Sequence, residues 1–247
     1  MTPEPQPPEA SSEARPPLTT YEDLAHRLDL PLVRPDLTSQ RLAEGLQLAR
    51  HLGIACASVR PSDLDLAVRV LEGSRVQPGS VVGFPHGAQT TATKLYEARD
   101  LLRRGAKELD MVVAIPNLLS REFQYVQVEL SQMAELCRKE GAVLKVILEN
   151  AYLTDELKII ACRCCERAEV NFVETSTGFA PSGCTLADVK LMRYYLPETI
   201  GVKAAGGLRT LDELLEVYQA GATRMGTGSA GAILEQWKTR LAEPKTA

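Results

Sequence analysis

Four ionisable residues interrupt short apolar runs of this chain. They are Asp110 in ELDMVV (108–113), Lys145 in VLKVILE (143–149), Glu174 in FVETST (172–177) and Lys203 in GVKAA (201–205). Such a run reads as a strand covered on both faces, where an unpaired charge is costly. The four therefore pair as structural ions, or they form a site for proton transfer and for attack on a carbonyl. Neighbouring strands lie about 5 Å apart, so side chains at similar heights on consecutive strands can meet. Glu149 and Asn150 extend the Lys145 run and are placed to reach the same region.

Loops of small residues follow the last runs: TSTGFAPSG (175–183), AAGG (204–207) and GTGSAG (226–231). Small residues let backbone N–H groups approach an anion, and a helix N-terminus adds a favourable dipole. Three such loops beside the charged cluster predict a small phosphorylated metabolite as ligand.

The elements that would hold these groups repeat. Apolar runs at 29–33, 55–59, 81–85, 108–113, 143–149, 172–177, 201–205 and 222–228 alternate with amphipathic segments such as 91–105, 185–196 and 210–221. Several of the latter begin with Thr or Ser, as helix caps do, and Gly105 and Gly221 sit where helices end. Eight strand–helix units in this length predict an α/β fold, a single-domain (β/α)8 TIM barrel over residues 21–241. Charges at the C-terminal ends of its strands would lie at the mouth where such barrels bind ligands. A doubly wound open sheet is the alternative, but a Gly-rich dinucleotide fingerprint is missing after the first run. Residues 1–20, rich in Pro, Glu and Ser, read as a disordered tail, and 242–247 as a C-terminal tail.

Composition narrows the partners. The chain has 247 residues, 45% hydrophobic and 24% charged, with a net charge of −4. No long basic run supports nucleic-acid binding, no apolar run supports a membrane span, and no secretory signal is seen. Six cysteines, three of them in ACRCCERAE (161–169), lack zinc-site spacing. They predict reduced thiols in a cytoplasmic protein with no metal. His86 follows the third run and is a candidate ligand contact. His26 and His51 read as surface or helix-packing residues, and Trp237 as packing.

The motifs VVGFPHG, ELDMVV, LKVILE, YLTDE, FVETSTGF, GVKAAGGLRT and AGATRMGT together resemble the deoxyribose-phosphate aldolases, the DeoC branch of class I aldolases, from about residue 21 to 235. The resemblance implies a TIM barrel, no cofactor or metal, and reversible cleavage of 2-deoxy-D-ribose 5-phosphate to glyceraldehyde 3-phosphate and acetaldehyde through a lysine Schiff base. It gives Asp110 a proton-relay role, Lys203 the role of tuning the Schiff-base amine, and Lys145 a place lining the site. Gly178, Gly206, Gly207 and Gly226 match phosphate-loop positions, and Thr227, Gly228 and Ser229 continue the last loop. Relatives often form dimers, so a homodimer is an expectation, although no stretch identifies its interface.

The departures are specific. The family motif F-V-K-T-S-T-G reads FVETSTG here, and Glu174 stands at the position of the Schiff-base lysine. The early motif I-D-H-T-L-L-K-P reads LDLPLVRP, with Leu30, Pro31 and Arg34 for His, Thr and Lys. Ser58 and Arg60 replace a usual Cys and Asn, and Phe179 follows TSTG where some relatives place a lysine. A carboxylate forms no imine, and beside Lys203 it favours the protonated, non-nucleophilic amine. Three readings stay open: an aldolase in which Lys203 or Lys145 carries the imine, an imine-free isomerase or lyase with Glu174 as general base, and a non-catalytic sugar-phosphate-binding relative.

Overall fold

A computed structural model of the chain describes residues 15–243. Its strands are β1 (Leu28–Leu32), β2 (Cys56–Val59), β3 (Gln77–Val82), β4 (Glu108–Val112), β5 (Val143–Ile147), β6 (Phe172–Glu174), β7 (Gly201–Ala205) and β8 (Arg224–Gly226). They pair in parallel and in sequence order, and β1 also pairs with β8, which closes the barrel. The helices are α1 (Tyr21–Ala25), α2 (Ser39–Leu52), α3 (Leu64–Leu71), α4 (Thr91–Arg103), α5 (Ile115–Leu119), α6 (Phe123–Lys139), α7 (Asp155–Ala168), α8 (Leu186–Tyr195), α9 (Leu211–Gln219) and α10 (Ala230–Ala242). The single (β/α)8 barrel is the expected fold, and the open sheet is excluded by closure.

Local chemistry sets the helix starts. Thr38, Thr90, Thr154, Thr185 and Thr210 each accept a backbone N–H three residues on, at the starts of α2, α4, α7, α8 and α9. The third strand departs from its expected span of 81–85. It begins at Gln77, because Pro78 loses only a donor while its carbonyl still accepts from Lys107 N at 2.8 Å. It ends at Val82, where Gly83 turns to φ +62°. Most of the expected N-terminal tail lies outside the described residues, as do 244–247 of the C-terminal one. Of its described part, Arg15 donates to the Gly221 carbonyl at 2.9 Å, and the Pro16 carbonyl accepts from Tyr218 at 2.9 Å. Buried Trp237 packs as expected and donates to the Thr20 carbonyl.

Strand alternation gives the barrel two different layers. Leu109 and Met111, Leu144 and Val146, and Val202 and Ala204 belong to the apolar core shared with the helices. The alternate positions, Glu108, Asp110, Lys145 and Lys203, face the barrel interior and form ion pairs there. The interior of this barrel is thus largely ionic, where branched apolar side chains usually dominate.

A second buried pair ties the helices to β4. Lys94 of α4 and Glu129 of α6 meet at 2.9 Å with both side chains fully buried. Lys94 also donates to the Val112 carbonyl, and Glu129 accepts from Ala114 N. Removing one partner strands the other's charge. Lys94→Met should lower the unfolding free energy by about 3 kcal/mol, and Lys94→Met/Glu129→Leu should recover much of that loss. Urea unfolding of both variants checks this, and a single variant as stable as the parent would show that the pair holds nothing.

Candidate active site

Strand register brings the singled-out charges together. Asp110 lies beside Lys145 between β4 and β5, and Glu174 lies beside Lys203 between β6 and β7. Lys203 Nζ is 3.0 Å from Asp29, 3.0 Å from Asp110 and 3.1 Å from Glu174. Lys145 Nζ is 2.9 Å from Asp29, 2.6 Å from Glu108 and 2.9 Å from Asp110. Arg224 adds a contact of 2.7 Å to Asp29 and one of 3.5 Å to Glu108. Ser58 donates to Asp110 at 2.8 Å.

The four charges singled out in the sequence, Asp110, Lys145, Glu174 and Lys203, sum formally to zero. Asp29, Glu108 and Arg224 were not among them, although each lies in a quoted run. The missed signal was period: Glu108 and Asp110 are two apart on one strand and share a face. With all seven counted, Asp29, Glu108 and Asp110 formally oppose Lys145, Lys203 and Arg224, and Glu174 is the surplus acid. A surplus charge in a dry interior is relieved by neutralisation.

The titration behaviour follows this count. Burial pushes the Glu174 carboxyl up to about 8, against the opposing pull of Lys203. Burial alone would lower Lys203, but Asp110 and Glu174 outweigh it and hold the ammonium well above the ordinary lysine range. Asp29 and Asp110 resist burial because Lys145 and Lys203 hold them below the ordinary carboxylate range. Near neutral pH the site therefore presents a protonated Glu174 and a charged Lys203. Glu174 Oε2 is buried without a hydrogen-bond partner among the described residues.

A cavity of about 390 Å³ opens over these groups at the C-terminal mouth, and Asp29, Asp110, Glu174 and Lys203 form its floor. Lys145 is fully buried and sits below that floor rather than lining it. The expected phosphate positions Gly178, Gly206, Gly207, Gly226, Thr227, Gly228 and Ser229 all line the cavity. Gly206 takes φ +93°, and a Cβ there would collide with Ser176 Oγ, so only glycine fits. Thr227 donates to the Leu208 carbonyl and accepts from Ser229 N, which joins the loops after β7 and β8 beneath the start of α10. Arg34 and Arg209 add positive charge at the rim.

Other candidates fall elsewhere. His86 is exposed and outside the cavity lining, and His26 and His51 are exposed. Glu149 accepts from Thr177 N at 3.2 Å and from Thr177 Oγ1, so it anchors the loop after β6 instead of lining the cavity. Asn150 faces a separate hollow near α8. Cys162, Cys164 and Cys165 are buried in α7, and all six cysteines are free, with burial raising the Cys162 thiol to about 12. Asp29, Cys56 and Glu108 converge within 4.8 Å, but Lys145 Nζ already bridges the two carboxylates. No helix among the described residues is long and apolar enough to cross a membrane.

Comparison with known proteins finds the same arrangement of chain. The family model described as DeoC/LacD family aldolase matches residues 49–234. The deoxyribose-phosphate aldolase of Caldanaerobacter subterraneus subsp. tengcongensis is 41% identical over 217 residues, 87% of this chain and 94% of that one. The deoxyribose-phosphate aldolase of Bacteroides thetaiotaomicron is 41% identical over 219 residues, 89% and 92% of the two chains. Among solved structures, the tetrameric deoxyribose phosphate aldolase of Aeropyrum pernix superposes with a TM-score of 0.80 at 34% identity, covering 90% of this chain and 94% of that one.

A pH signature of Glu174 follows. Its carboxyl rises from an ordinary 4.5 to about 8 on folding, so the folded chain keeps a proton that the unfolded chain has released. This contribution to stability is fully present below about 4.5 and is lost as pH rises toward 8. Glu174→Gln keeps the neutral shape and removes the titration. Relative to the parent, the variant should gain roughly 1 kcal/mol of stability per pH unit across that window. Chemical unfolding at pH 5, 6.5 and 8 measures the difference, and a pH-independent difference would place the proton elsewhere.

Proposed function

Because the chain belongs to the DeoC/LacD family of aldolases, we propose that its mouth cavity takes a small phosphorylated sugar or aldehyde, with deoxyribose-phosphate aldolase activity weakened or diverted at Glu174. The observation that carries this reading is the Glu174–Lys203 contact at 3.1 Å. The resemblance puts the Schiff-base lysine at 174, and a carboxyl there forms no imine. Lys203, the nearest amine to the cavity, is held as an ammonium by the carboxylates of Asp29 and Asp110 and has no free electron pair for a carbonyl. Without an imine, the carbanion left by aldol cleavage lacks an evident electron sink.

What remains is a phosphate cradle on one side and a proton-bearing acid on the floor. The unpartnered Glu174 Oε2 favours a second reading, in which Glu174 works as general acid and base on a phosphorylated carbonyl compound. It would take a proton from the carbon beside the carbonyl once deprotonated, while Lys203 stabilises the developing oxyanion. Isomerisation or dehydration would fit, and neither needs an imine. A non-catalytic sugar-phosphate-binding relative would keep the same cradle. The proposal includes no nucleic-acid or membrane partner, and it places the protein, with its free thiols, in the cytoplasm as a self-associating chain.

Glu174→Lys tests it directly. A lysine at 174 beside Lys203 would be driven toward its neutral, nucleophilic form. Parent and variant are incubated with deoxyribose 5-phosphate and borohydride, then weighed by mass spectrometry alongside an aldolase assay. The variant should form the adduct and exceed the parent's cleavage rate by roughly a thousandfold or more. An adduct on the parent, mapped to Lys203 or Lys145, would sink the proposal and restore an imine mechanism.

A further inference from the structure

A neutral polar side chain stands on the cavity floor beside the ions. Ser58 lies on β2, is 3% exposed and lines the cavity. From β1, β2, β3 and the loops after them, the lining otherwise takes Asp29, Pro31, Val33, Arg34, Val81 and Phe84. Asp29 is engaged by Lys145, Lys203 and Arg224, and Arg34 pairs with Asp36 at the rim. The other four side chains have no hydrogen-bonding group. A neutral polar atom of a ligand on this side of the floor therefore meets Ser58.

The polarity of Ser58 is fixed. Its Oγ donates to Asp110 Oδ2 at 2.8 Å. The same oxygen accepts from Lys203 at 3.0 Å, and Asp110 Oδ1 faces Lys145 at 2.9 Å. Two ammonium groups keep Asp110 a carboxylate, which has no hydrogen to give, so the serine's own hydrogen is committed to it. What Ser58 presents to a ligand is a lone pair. Cys56 Sγ lies 3.8 Å away and is a weak donor, and a hydroxyl oxygen accepts two bonds, so accepting capacity is left over. The family motif usually places a cysteine at 58, and a thiol there would be a poor acceptor.

Resting on the reading of this cavity as a site for a phosphorylated carbonyl compound, we propose that Ser58 Oγ accepts a hydrogen bond from a ligand hydroxyl on the carbon next to the carbonyl, and so selects hydroxyaldehyde and hydroxyketone phosphates over analogues that lack this hydroxyl. In that reading Lys203 faces the carbonyl oxygen. Ser58 and Lys203 bond the same Asp110 oxygen, so they stand side by side, as the oxygens of a hydroxyl and a carbonyl on neighbouring carbons do. The carbon that gives its proton to Glu174 is then the one whose hydroxyl Ser58 holds. A 2-deoxy sugar has no hydroxyl at that place and leaves Ser58 with neither water nor partner, which penalises it.

Binding is measured by calorimetry on the full chain with inorganic phosphate, dihydroxyacetone phosphate and hydroxyacetone phosphate. The last two are ketone phosphates that differ by one hydroxyl. The parent should bind dihydroxyacetone phosphate roughly fivefold tighter than hydroxyacetone phosphate. Ser58→Ala should remove that preference by weakening the hydroxylated ligand alone, and Ser58→Cys should remove most of it. Asp110 keeps Lys145 and Lys203 in both variants, and unfolding midpoints without ligand confirm that they fold. If Ser58→Ala weakens both ketone phosphates alike, Ser58 merely positions Asp110 and the proposal is overturned. A parent that binds phosphate but does not distinguish the two ketones also overturns it and leaves the phosphate site standing. If none of the three binds, the phosphate-site reading falls and takes this inference with it.

Discussion

Lys145 sits among Asp29, Glu108 and Asp110 and Lys203 among Asp29, Asp110 and Glu174, acidic side chains supplied by β1, β4 and β6, and Arg224 closes the group from β8. This ion network fills the space where most barrels place branched apolar side chains. With three basic side chains already facing Asp29, Glu108 and Asp110, a further buried side chain is accommodated best when it is neutral. The same surroundings therefore act in opposite directions on the two residues of interest at position 174. A glutamate there keeps its proton, whereas a lysine there would lose one. Much of the site chemistry follows from that condition, because it decides whether the floor offers an acid or a nucleophile.

The fold was legible because its repeat is strong and local. Threonine caps fixed five of the long helices, and glycines marked the ends of α4 and α9 near the expected places. The pairing of Glu174 with Lys203 was also legible, since both interrupt apolar runs on consecutive strands. Asp29, Glu108 and Arg224 were harder to see. They lie at or near the starts of their strands, where a charge reads as ordinary loop polarity; Glu108 meets Lys145 from the adjacent strand, whereas only closure brings β1 beside β8 and Asp29 onto Arg224. The early start of β3 was hidden by Pro78, a residue that usually argues against a strand. Glu149 was expected at the mouth, but a left-handed backbone at φ 55° turns it toward Thr177. Sequence spacing carries no sign of such a turn.

Recognition and reactivity are carried by different layers of the molecule. The network that sets protonation lies inside the strands, and its lysine at 145 never reaches the cavity. Most groups that would hold a ligand sit on loops: the glycines after β6, β7 and β8 and the arginines at the rim. Loops accept substitution more readily than a buried ion network does. The replacements at Phe179 and Arg34 belong to the tolerant layer. Glu174 belongs to the constrained one, where a change of residue survives only if it keeps the charge count.

The ionic interior also bears on how the chain reaches its folded state. Asp29 is supplied by the first strand and Arg224 by the last, and they meet at 2.7 Å. A barrel that lacks β8 leaves Asp29 without its guanidinium partner, and one that lacks β1 leaves Arg224 with Glu108 alone at 3.5 Å. Half-barrels of this sequence are thus poor resting points, unlike those of a barrel filled with leucine and valine. Sealing the ring is thus an electrostatic step as well as a hydrogen-bonded one, because the seam between β1 and β8 is where Asp29 gains its guanidinium partner.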